Sequence, residues 1–103
     1  MTVPIIDMGH MQQAAQEATQ MLRVLANENR LLLLCQLSQG EKSVGELEIL
    51  LGIRQPTLSQ QLGVLRNEGL VQTRRDGKQI IYRVVDERAQ RLLEMLYGMY
   101  CSC

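Results

Sequence analysis

The chain contains no phenylalanine, no tryptophan and only three tyrosines in 103 residues. Its core therefore cannot rest on aromatic anchors and must come from Leu, Ile, Val and Met. No apolar run nears the roughly 20 residues of a membrane span, and no basic segment leads into a hydrophobic stretch at the N-terminus. Neither a membrane nor a secretory leader is expected, so the setting should be the cytoplasm. A single histidine, His10, lacks the companions that metal or acid–base chemistry would need, and reads as a surface residue near a helix start. No nucleophile has a base partner, no carboxylates pair across a cleft and no glycine loop would cradle phosphate. An enzyme is not expected, and neither is a cofactor. The three cysteines, in a reducing compartment, are not a disulfide framework; they are packing, metal ligands or redox groups.

Net charge is also missing, but the zero conceals an uneven distribution. Residues 54–83 hold Arg54, Arg66, Arg74, Arg75, Lys78 and Arg83 against Glu68 and Asp76, a balance of +4, while residues 1–53 carry −3 and the remainder −1. Attraction to phosphate is screened within about 10 Å, so a concentrated basic segment matters more than the total. One domain is expected, with residues 1–9 a loose, flexible arm and 10–103 the folded unit. So small an aliphatic core is expected to gain stability by self-association.

The basic segment overlaps a helix-turn-helix pattern at residues 43–67. Ser43 and Glu46 have the spacing of a capping box, and Val44, Leu47, Leu50 and Leu51 form the apolar face of a short helix that Gly52 ends. A second helix is expected from about Gln55, with Pro56 in its first turn. Leu58, Leu62 and Leu65 point it inward. Its other face carries Gln55, Pro56, Thr57, Ser59, Gln60 and Gly63, small or amide- and hydroxyl-bearing residues suited to base edges in a major groove. A polar, solvated surface is the competing explanation.

Around this unit, apolar spacing predicts a first helix from about His10 to Leu25, with Ala15, Ala18, Met21 and Leu22 on one face. A second follows, capped by Asn27 and running through Leu31 to Leu34 with Cys35 in its latter half. After Gly69, Val71 and Thr73 alternate as a strand does. Ile80, Tyr82 and Val84 follow, and Asp76-Gly77 between the strands reads as a type I′ turn. Arg74, Arg75 and Lys78 at the hairpin tip suit a wing that clasps backbone or minor groove, unless they only protect a strand edge. A last helix from Asp86 to about Tyr100 presents Leu92, Leu93, Leu96, Tyr97 and Tyr100. The fold class is mainly α with a small β-hairpin wing, a winged helix-turn-helix (α-α-α-α-β-β-α), made homodimeric through the first and last helices.

This order, with LANENRLLLLCQL, SVGELE, RQPTLSQQLGVLRNEGLV and GKQIIYRV in sequence, resembles the ArsR/SmtB family of bacterial repressors from about residue 12 onward. The resemblance implies a homodimer that sits on an inverted-repeat operator in double-stranded DNA and releases it when an effector arrives. The family often has Ser at the position of Arg54 and His at that of Gln61. Metal-sensing relatives carry a Cys-x-Cys pair where this chain has Ser43 and Gly45. Others use an Asp-x-His on the last helix, where this chain has Asp86 and Arg88. Cys35 with Cys101 and the Tyr-Cys ending resemble the BigR/SqrR/HlyU branch, which implies a pair of thiols close together in one subunit that senses persulfides, polysulfides or oxidants. Chelation of a thiophilic metal or metalloid by Cys101 and Cys103 is an alternative, as are inert cysteines. A winged helix serving as a protein-interaction module is another; it would show no steep salt dependence on duplex DNA.

Overall fold

The computed structural model describes Ile5 and residues 7–101. Five helices and three strands follow one another as α1 (Met8–Leu25), α2 (Glu28–Ser38), β1 (Lys42–Ser43), α3 (Val44–Leu51), α4 (Thr57–Asn67), β2 (Val71–Asp76), β3 (Gln79–Val84) and α5 (Glu87–Tyr100). The winged helix-turn-helix expected from the sequence is present, with one strand more than expected.

Helix starts are set by local chemistry. Asp7 accepts from the His10 N–H, Asn27 from Arg30, Ser43 from Glu46 and Asp86 from Ala89, so four helices open on a side-chain oxygen. The first of these moves the start of α1 ahead of the expected residue 10: Met8 and Gly9 belong to the helix, not to the arm. The capping box at α3 is complete, since the Glu46 carboxylate also accepts from the Ser43 N–H at 2.9 Å. Those bonds hold the Glu46 carboxyl below its ordinary pKa, the Ser43 backbone N–H first and its hydroxyl next.

Helix α4 begins at Thr57, not Gln55: Pro56 occupies the cap position and has no side-chain oxygen to offer. Gln55 supplies one instead, its Oε1 accepting from the Ser59 N–H at 3.0 Å. The far end closes on Gly69, at φ 75°: its N–H reaches the Arg66 carbonyl and that of Leu70 the Leu65 carbonyl, each at 3.0 Å. This pair of bonds is a Schellman closure, and it turns the chain directly into β2.

The hairpin differs from expectation at its tip. Asp76 pairs with Gln79, so the two-residue loop is Gly77-Lys78, one position later than expected. Gly77 alone has a positive φ, 64°, whereas a type I′ turn needs two such residues. The single glycine dictates the placement, and Lys78 is lifted to the apex. The unexpected strand, β1, pairs antiparallel with β3 and orders the sheet β1-β3-β2. Two residues between helices carry no alternating pattern that sequence reading can detect.

The core gathers Leu33, Leu34 and Leu37 of α2, Leu47 of α3, Leu58, Leu62 and Leu65 of α4, Val71 and Val84 of the hairpin, and Ala89 and Leu93 of α5. Full burial of one such leucine stabilises by about 1.5–3 kcal/mol. Leu50, expected on the inward face of α3, is instead 53% exposed. At 3.6 residues per turn it lies roughly 120° around the helix from Val44, outside the side that Leu47 buries.

Candidate nucleic-acid interface and thiol pair

The burial of Leu58, Leu62 and Leu65 decides which way α4 faces. Gln55, Pro56, Ser59 and Gln60 are thereby exposed and Thr57 is half-buried, so the five expected reading residues share the outer side of one helix and its entry. A Cβ built on Gly63 would meet no atom within 4 Å, so nothing inside the chain requires glycine at that point of the same surface.

The three wing cations are not equivalent. Arg74 donates from Nη2 to the Glu41 Oε1 at 2.8 Å and lies 3.8 Å from Asp76. The guanidinium holds the Glu41 carboxyl below its usual range, chiefly through that hydrogen bond. Its charge is already answered within the chain. Arg75, opposite Ile80, and Lys78, at the apex, are exposed and make no ion pair among the described residues.

The sequence offers no sign of the role of Arg30. Its Nε donates to the Val24 carbonyl at 2.6 Å, its Nη2 to the Arg23 carbonyl at 3.2 Å and its Nη1 to the Gln61 Oε1 at 2.9 Å. It caps the end of α1 and reaches across to α4. The Asn-Glu-Asn-Arg break before α2 shows where α1 stops, but the long-range half of the contact depends on tertiary packing.

Cys35 and Cys101 are 66 positions apart in sequence. Helix α2 packs against α5, and both thiols line one concavity of about 860 Å³ between them, with Leu32, Leu93, Glu94 and Tyr97. Cys35 is half-buried and Cys101 exposed, and no disulfide joins them. Burial pushes the Cys35 thiol above its ordinary pKa, and the neighbouring Cys101 adds to the rise. The neutral thiol is thus favoured at Cys35, and any stabilisation this brings is lost as pH climbs through the raised value. Ser102 and Cys103, on which the chelating alternative depends, lie outside the described residues.

Helices α1 and α5 also present much apolar surface. Met8, Met11 and Leu22 are exposed on α1, and Met95, Tyr97, Met99 and Tyr100 on α5. No helix among the described residues is long and apolar enough to cross a membrane.

A capped helix-turn-helix, a second helix with an exposed polar face and a basic hairpin behind it make up a winged helix-turn-helix, the fold of many DNA-binding regulators of transcription. Comparison with known proteins narrows this. Residues 27–73 match the model of the bacterial regulatory protein, arsR family. The biofilm growth-associated repressor of Agrobacterium fabrum is 56% identical over 92 residues, spanning 89% of this chain and 79% of the relative. The transcriptional repressor BigR from Xylella fastidiosa superposes with a TM-score of 0.86 at 48% identity, covering 95% of this chain and 100% of that one. Reduced HlyU from Vibrio cholerae does so with a TM-score of 0.87 at 38% identity, covering 90% and 98%. The chain belongs to the ArsR family, in its BigR/HlyU-like branch.

Proposed function

We propose that this protein is a cytoplasmic, homodimeric repressor that holds an inverted-repeat operator and releases it when persulfide, polysulfide or oxidant joins Cys35 to Cys101. Residues 10–103 act as one DNA-binding and dimerisation domain. Gln55, Pro56, Thr57, Ser59 and Gln60 meet the major groove, and Gly63 lets the helix approach closely. Arg75 and Lys78 meet phosphate or minor groove; Arg74 supports the wing through Glu41 and contributes less to the contact. The exposed apolar residues of α1 and α5 pair across a twofold axis, which sets the two reading helices at the half-site spacing of about 34 Å.

One observation carries the regulatory half of this reading. Two thiols far apart in sequence line the same concavity, near enough for the charge of one to raise the pKa of the other. A thiolate at one cysteine attacks the sulfane sulfur of a persulfide and expels a thiolate. The other cysteine then attacks the first sulfur of the new persulfide, releasing hydrosulfide and closing a disulfide. Such a bond ties α2, at the centre of the core, to the dimer helix α5. The likeness to biofilm growth-associated repressors and to a HlyU described as reduced supports both halves.

The decisive test is Cys35→Ser. It should bind operator as the parent does when reduced, but should no longer release it on treatment with inorganic tetrasulfide; the bridge should be visible by mass spectrometry in the parent only. Release by the variant would remove the pair as sensor.

A further inference from the structure

Helix α2 touches both halves of the proposed switch. Cys35 faces α5 across the concavity, while Arg30, five positions earlier, faces α4. The Arg30–Gln61 hydrogen bond is the only side-chain hydrogen bond between α2 and α4 among the described residues. At the same time Nε and Nη2 hold the Val24 and Arg23 carbonyls, which lie in the last turn of α1 where no intrahelical N–H reaches them. The Asn27 oxygen accepts from the Arg30 N–H at 3.0 Å, so the backbone at this point is tied down as well. A guanidinium is planar and its donors are fixed relative to one another, so it orients three partners together. One rigid plane thus sets the end of the dimer helix α1, the start of α2 and the middle of the recognition helix.

We propose that Arg30 is the positioning residue that carries the state of the Cys35–Cys101 pair to the DNA-reading face, with Gln61 as its contact on α4. The inference rests on the thiol-switch reading above. Joining the two sulfurs draws α2 toward α5. Leucine contacts between α2 and α4 are non-directional and let the helices slide by small amounts, whereas the Arg30 fork moves with α2 and turns Gln61 with it. Gln61 adjoins Gln60 of the reading face. Because the same guanidinium grips the end of α1, this movement is defined against the helix through which the two subunits pair, and so alters the relation of the two reading helices.

The test uses the full-length protein and a duplex selected in vitro with its reduced form, measuring affinity before and after treatment with inorganic tetrasulfide. The parent should lose at least about fivefold in affinity, within the usual range of coupling between two sites. Gln61→Leu roughly keeps the packing volume and removes the amide that accepts from Arg30; its loss should fall below about twofold although mass spectrometry shows the same sulfur bridge. Arg30→Lys, which keeps the charge but not the fork, should behave likewise. Gln61→Glu, a charge-assisted partner for the guanidinium, should restore the parental loss. If Gln61→Leu is released as strongly as the parent, apolar packing transmits the signal and this role of Arg30 is overturned while the switch stands. If the parent forms the bridge yet keeps its affinity, or forms no bridge, the switch reading fails and the inference with it.

Discussion

The half of the molecule built from α3, α4 and the hairpin and the half built from α1 and α5 follow different standards of closure. In the first, both helix ends of the helix-turn-helix are sealed, by the Ser43–Glu46 box and Gly52 on α3 and by Gln55 and Gly69 on α4, and the apolar side chains are covered apart from Ile49 and Leu50 on the outer side of α3. In the second, Tyr97 and Tyr100 are 56% and 80% exposed and methionines line both helices. Apart from the hold of Arg30 on its last turn, the ties that the side chains of α1 make to the rest are exposed: Gln20 to Glu68 at 3.0 Å and Arg88 to Glu17 at 3.4 Å. Pairs of that kind contribute little, about 0–1 kcal/mol each. The apolar surfaces of α1 and α5 lie open among the described residues, and Cys35 and Cys101 line the concavity between α2 and α5.

The largest effect that tests this contrast is a cavity in the closed half. Leu62→Ala, at a side chain 1% exposed, should lower stability by about 2–5 kcal/mol in urea unfolding. Met99→Ser on the open half should change it little once the dimer is diluted apart. Comparable losses at both sites would mean that the two halves do not differ as described.

Next comes association. Tyr100→Asp places a charge in the face expected to pair, and should raise the dimer dissociation constant at least about tenfold, equivalent to 1.4 kcal/mol, in sedimentation experiments. A monomeric parent protein would break the comparison outright.

The wing gives a finer test. Arg75→Ala should weaken binding to every duplex and lower the salt slope by about 1. Arg74→Ala should change the slope less, since Glu41 already meets that guanidinium; equal slopes would deny the distinction.

Smallest is the cap. Ser43→Ala should cost about 1 kcal/mol at neutral pH. The Glu46 carboxyl has its pKa lowered by the same bonds, so its contribution is present above the ordinary carboxylate pKa and disappears as pH falls through the lowered value. The cost of Ser43→Ala should therefore shrink in acid; a penalty independent of pH would separate the two residues.

Much of this was legible beforehand because it depends on neighbours in sequence. Caps need an oxygen three residues ahead of an N–H, a Schellman end needs glycine, and a two-turn apolar period needs only leucine spacing. For that reason Ser43, Asn27, Gly69 and Asp86 acted as expected. Leu50 did not, because periodicity indicates which residues could share a face but not how much of that face finds a neighbour. Likewise Arg74 and Arg75 are indistinguishable in a sequence, and only the pairing of β1 with β3 brings Glu41 beside one of them.

The order of the five helices and the two hairpin strands, the polar outer face of α4, the basic hairpin and the apolar terminal helices were written in the chain itself, since each follows from local propensity, capping and periodicity; the short strand β1 was not. Tertiary structure alone decided that Arg30 would bind α1 and α4 together, that Glu41 would neutralise Arg74, and that Cys35 and Cys101 would line one concavity. Each of these joins residues more than 25 positions apart, and such contacts form only when the leucine core has collapsed and fixed which helix packs on which.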